Sequence, residues 1–208
     1  IKLCTKQILR TGIIFYGFRL PLQDVMNIGA PAIVIDAIVI AGTIGLGLLF
    51  GKMLKMDRDT VIMTSTGSAI CGAAAVLGAE PVVKCAPHKT AIAVSTVVIF
   101  GTISMFLYPV LYRMGIFDLD PQSMAIYTGS TLHEVAHVAG AGNAMDPTGA
   151  VGIEGPATIT KMIRVIMLAP VLIIFAFCIK PSNENGEESH GKRKITIPWF
   201  AFWFIGVI

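Results

Sequence analysis

Residues 131–137 read Thr-Leu-His-Glu-Val-Ala-His, which sets His133, Glu134 and His137 in the order H-E-x-x-H. On a continuous helix, residues four apart share a face. Two imidazoles so placed can ligate one zinc ion while the glutamate between them activates a bound water. An intramembrane zinc protease built on this motif also needs a third ligand, and the nearest acids, Asp146 and Glu154, lie in a Gly- and Pro-rich connector at no recognised spacing. The same residues fit a capping box, Thr131-x-x-Glu134, in which the hydroxyl accepts from the Glu134 amide and the carboxylate reaches back to the Thr131 amide. That arrangement accounts for the glutamate without metal. If the segment lies in a membrane, a third chemistry opens, because ionisable groups there are costly and tend to mark ion or proton paths. His133 and Glu134 are then candidate relay residues.

The elements that carry these residues are apolar. The chain of 208 residues is 54% hydrophobic and 14% charged, with a mean hydropathy of +0.75, against about 25% charged in soluble domains. Residues 31–51 and 90–112 are long enough to cross a hydrocarbon core of about 30 Å, and Asp36 is the one charge among them. Spanning or embedded segments are predicted near 7–20, 31–51, 61–79, 89–112, 121–142, 160–180 and from 195 onward. The fold class expected is an all-α polytopic bundle, residues 1–208 forming one transmembrane domain of a longer chain, with 181–194 a flexible polar connector. No secretory leader is visible at the start of the sequence.

The connectors at 52–59, 113–122 and 180–194 hold eight Lys and Arg residues, and the positive-inside rule assigns them to the cytoplasm. Lys84 and Lys89 fall in an opposite connector, so either they face a cavity, where they would have an electrostatic role, or the segment 61–79 does not cross fully. Lys161 and Arg164, three apart at the start of the segment 160–180, read as an interfacial anchor or as a funnel for an anion. The net charge of +3 is too small and scattered for nucleic acid. Cys4, Cys71, Cys85 and Cys178 show no C-x-x-C pairing, so neither a disulfide frame nor a thiolate metal site is indicated.

Two segments depart from ordinary spans. Residues 64–81 and 127–142 are rich in small residues, and each carries Thr-Gly-Ser: Thr66-Gly67-Ser68 and Thr128-Gly129-Ser130, 62 residues apart. Pro-Val-Leu recurs at 109–111 and 170–172, 61 apart. Two nearly equal offsets suggest an internal repeat. Irregular backbone at membrane depth is tolerated only where protein or a watery cavity covers it. Transporters use such breaks to present half-helix N-termini to anions. On that reading both segments are discontinuous helices, Ser68 and Ser130 or Thr131 are N-caps, and Gly67 and Gly129 let a ligand approach closely. The alternative is that small residues only let helices pack tightly.

The stretches 67–84, 88–113, 129–142 and 161–172, with 10–20 and 197–204, resemble the YeiH-like family of bacterial inner-membrane proteins, labelled sulfate exporters. The resemblance implies a secondary transporter of a small anion, sulfate or a sulfonate, distantly related to the bile-acid and arsenite carriers with their inverted repeats and crossed broken helices. It implies a site built from Ser68, Cys71, Gly72, Ser130, His133 and Glu134. Thr66, Gly67, Gly129 and Thr131 join them from the small-residue reading. In that family the position of His137 is commonly Gln, which counts against an obligatory zinc ligand. The expected partners are the lipid bilayer and a small anion; no cofactor is called for, and self-association stays open.

Overall fold

A computed structural model describes residues 30–178, and the side chains of 33–177. The expected segments at 7–20 and from 195 onward, and the connector 181–194, lie outside the described residues. Within them the chain is helical: α1 (Ala30–Met53), α2 (Arg58–Ala69), α3 (Ala73–Val83), α4 (Pro87–Arg113), α5 (Pro121–Thr131), α6 (Val135–Met145) and α7 (Glu154–Cys178). Among the described residues there is no strand. Ile33–Met53, Pro87–Arg113 and Glu154–Phe177 are long and apolar enough to cross a membrane.

Local chemistry sets the starts. Asp57 caps α2, its carboxylate accepting from the Thr60 amide at 3.0 Å, and Asp120 caps α5 by accepting from the Ser123 amide at 3.1 Å. Proline stands in the first turn of α4 and of α5, where its missing N–H costs nothing. Lys55 at φ 54° and Gly115 at φ 68° turn the chain out of α1 and α4.

Helix α7 is the organising element, touching α1, α3, α5 and α6, while α4 packs on α2, α3 and α6. One apolar cluster joins Met63, Ile70, Val76, Val83, Val97 and Leu172; another joins Met124, Leu132, Val138 and Ile153. The outer faces of α1 and α4 are exposed and apolar, with Ile38, Leu49 and Phe50 on one and Ile99, Phe100 and Phe106 on the other. Such faces suit lipid, which is as apolar as leucine, so close packing and polar contacts must hold the helices together. At the end of α4 the Tyr108 ring stacks on Tyr127 with centroids 5.4 Å apart, and Phe117 closes the group.

The turn after α6 is held by one carboxylate. Asp146 accepts from the amides of Val151 at 2.9 Å and Gly152 at 2.7 Å and from the Thr148 hydroxyl at 3.3 Å. Desolvation alone would raise its pKa, but the Gly152 and Val151 amides outweigh it and hold the carboxyl below its ordinary 3.8. A lowered folded pKa gives stability that is present above the ordinary value and lost as pH falls through the folded one, so the turn should loosen only below about pH 4. Asp146→Ala should raise amide exchange at 147–152 already at neutral pH, while exchange in α7 stays unchanged. Equal protection in variant and wild type would show that the carboxylate does not hold the turn.

Candidate functional site at the meeting of two interrupted segments

Each small-residue segment consists of two short helices with three residues between them: α2 and α3 around Ile70, Cys71 and Gly72, α5 and α6 around Leu132, His133 and Glu134. The boundaries keep the sequence offset, since Ala69 and Thr131, Ala73 and Val135, and Val83 and Met145 are each 62 apart. The gaps fall later than Ser68 and Ser130, and the N-caps are Gly72 and Glu134, not serine or threonine. Small hydroxyls serve helix ends in either direction and can also bond back along a helix, so their presence alone does not say which end they mark. Thr66 donates to the Ile62 carbonyl at 2.7 Å; Thr131 donates to Tyr127 at 2.6 Å and accepts from the Tyr108 hydroxyl at 3.0 Å.

The capping box therefore does not form. Glu134 makes no cap bond within its own helix; its carboxylate instead accepts from the Ala73 amide of α3 at 3.4 Å. Gly72 permits this, because at φ 66° it adopts a backbone that side chains disfavour, and a Cβ there would lie 2.7 Å from Glu134 Cγ. A carboxylate thus sits at the positive end of a helix from the other segment.

The H-E-x-x-H pattern also loses its premise. His133 and Glu134 precede the first helical residue, Val135, so the two histidines are not displayed on successive turns of one helix. Among the described residues, no group of three or more His, Cys, Asp or Glu is placed to hold a metal ion. The His137 ring is buried against Gly101, with Nε2 3.5 Å from the Thr102 hydroxyl. Nδ1 of both His133 and His137 is buried with no hydrogen-bond partner among the described residues.

The centre of the arrangement is Lys161. Helix α7 begins at Glu154, earlier than the expected 160, which carries Lys161 about 10 Å along the helix instead of leaving it at the end. Its ammonium is fully buried and donates to the carbonyl of Ile70 at 2.7 Å and to that of Leu132 at 2.5 Å. These are the C-caps of α2 and α5, 62 residues apart. Arg164, one turn on and also fully buried, lies with Nε 3.1 Å from Oδ1 of Asp36 on α1. The pair is close without hydrogen-bond alignment, and the Arg164 nitrogens, both Asp36 oxygens and the Ser130 hydroxyl have no hydrogen-bond partner among the described residues. Arg164 is thus the charged partner of Asp36, the acid set within the apolar run 31–51.

Cys71, Gly72, Ser130, His133, Glu134, Lys161 and Arg164 thus gather at or beside the meeting. Gly67 faces Val76 and Val97, and Gly129 faces the α7 backbone at Ala157, so the close approach each allows here is that of another helix. Ser68 is half-buried in the last turn of α2. Lys84 is the exposed C-cap of α3, at the end away from the first gap, and Lys89, in the first turn of α4, binds Asp57 at 2.7 Å and Asp59 at 3.0 Å. The carbonyls of Ile70 and Leu132 went unseen in the sequence because a main-chain group leaves no residue signature. Only the 62-residue offset, extended past Ser68 and Ser130, could have paired them.

The family model described as conserved hypothetical protein 698 matches residues 1–208. A UPF0324 membrane protein of Bacteroides thetaiotaomicron is 58% identical over 209 residues, covering 100% of this chain and 61% of the relative. The UPF0324 inner membrane protein YeiH of Salmonella typhi is 48% identical over 204 residues, covering 97% of this chain and 56% of the relative. The chain therefore spans about three-fifths of the length of these curated relatives. No solved structure matches it.

Proposed function

The chain belongs to the conserved hypothetical protein 698 family, that of the UPF0324 and YeiH membrane proteins, and from that premise we propose that it is part of a secondary transporter carrying a small anion, sulfate or a sulfonate, across the bacterial inner membrane. The observation that carries the reading is the meeting of two interrupted helical segments around buried Lys161, with Arg164 beside it. Asp36 lies against Arg164 and Glu134 is within electrostatic reach of Lys161, so an anion entering beside these cations would need a proton on one of the acids to keep the enclosed charge balanced. Helix N-termini at the gaps add N–H donors suited to an oxyanion. The guanidinium of Arg164, with donors to spare among the described residues, suits the same ligand.

Glu134 has the coupling role in this reading. Its carboxylate occupies the amide end of α3, where a substrate oxyanion would compete with it. Protonation would release that end, so proton and anion move together. Flux of sulfate and simple sulfonates into proteoliposomes across a pH gradient tests both parts. Wild type should accumulate an anion with a rate that rises with the gradient, and Glu134→Gln should bind it but lose most of that pH dependence. A pH profile unchanged in Glu134→Gln would leave the carboxylate as a cap. No flux above empty vesicles and no anion-induced thermal shift in wild type would sink the transporter reading itself.

A further inference from the structure

The last carbonyls of a helix lack partners within it and carry the negative end of its dipole. Here two such ends, at Ile70 and Leu132, converge on one point inside the protein. Left alone they would repel, and neither could find water. A bound metal ion is one remedy. In this chain a side chain supplies the charge: the Lys161 ammonium, a compact cation with three donors, spends two of them on these carbonyls. Arg164, Cys71, Asp36 and Glu134 lie within its electrostatic reach.

We propose that Lys161 is a built-in cation of the meeting point, doing at Ile70 and Leu132 what a bound alkali ion would do, so that the protein holds this geometry and completes its cycle without sodium or potassium. The lysine is a positioning residue for both segments at once, since its two bonds fix their C-terminal ends relative to each other. Only the part about the cycle rests on the transporter reading; the structural part stands without it.

The test uses the full-length protein purified in detergent and the same protein in vesicles. Wild type should unfold at the same temperature in sodium, potassium and choline chloride. Lys161→Ala removes the equivalent of propylammonium and should lower the midpoint by roughly 10 °C. Added propylammonium or sodium should restore part of that loss, and choline, too large for the space, should not. Lys161→Met keeps the length without the charge and should be as unstable as the alanine variant, with no rescue by propylammonium because the space is filled. A wild-type midpoint raised specifically by sodium or potassium, or a Lys161→Met protein as stable as wild type, would overturn the proposal. If the alanine variant does not fold, the wild-type ion series and the methionine variant still decide it. Flux that requires sodium defeats the cycle statement, whereas the expected thermal results with no flux of any anion would retain Lys161 as a cation and dispose of the transporter reading.

Discussion

Asp36→Asn should be among the most destabilising single changes in the described residues. It leaves the Arg164 guanidinium fully buried, 3.1 Å from a side chain that no longer carries charge. Removing one member of a buried pair typically costs about 3–5 kcal/mol, most of it the penalty of the stranded charge. The attraction of the intact pair is largely spent on desolvation, so replacing both residues should hurt much less than replacing one. Asp36→Leu with Arg164→Met should recover most of the loss, giving a coupling of at least about 2 kcal/mol between the positions. Thermal and denaturant unfolding of wild type, Asp36→Leu, Arg164→Met and the double variant measures this. Additive effects would mean that Arg164 is compensated elsewhere and that Asp36 is a bystander. A stable double variant with no flux would separate the structural from the transport role of the arginine.

Gly129→Val should be nearly as severe, for a steric reason. A Cβ at this position would collide with the Ala157 carbonyl oxygen and come within 2.7 Å of Thr160 Cβ, both on α7. Backbone cannot rotate away as a long side chain can, so α5 and α7 must separate. Overpacking usually costs about 1–3 kcal/mol, and here the separation would also draw the Leu132 carbonyl from Lys161. The control is Gly45→Ala in α1, where a Cβ meets nothing within 4 Å. That change should be neutral or stabilising by roughly 0.5–1 kcal/mol, because alanine loses less entropy in a helix than glycine. Midpoints of unfolding for the two variants should therefore move in opposite directions. If they shift alike, the contact between α5 and α7 is looser than the packing around Gly129 indicates.

The helical, membrane-embedded character of the chain was legible because composition and run length are properties of residues taken singly or in windows. The long helices α1 and α4 fall within two residues of the predicted 31–51 and 89–112, since Pro87 and the turn after Met53 leave local marks. The spacing predicts helix starts at Ser68 and Ser130, whereas the short helices run on to Ala69 and Thr131, because Thr-Gly-Ser is compatible with a helix end in either direction. The three-residue spacing from Thr131 marks Glu134 as a cap of its own helix. Its actual donor is 61 positions away, and no local pattern reports that distance. Lys161 illustrates the same limit: its type and position were visible, but the early start of α7, which turns a terminal lysine into an enclosed one, depended on residues 154–159 continuing the helix through Pro156 near its start.

The two gaps are unlike in how their backbones are made. The first relies on Gly72 at φ 66°, whereas Leu132 and Glu134, at φ −68° and −124°, use extended geometry open to any residue. In genetic terms the two are unequally exposed to mutation. Every single-base missense change in a glycine codon installs a Cβ, and at Gly72 that Cβ meets both a disfavoured backbone and the glutamate of the other segment. The second gap imposes no such condition on its codons, where a change alters side-chain chemistry but leaves the bend available. An evolving lineage could therefore vary the residues of one arm to retune what the site binds while the geometry of the other stays frozen at a single codon.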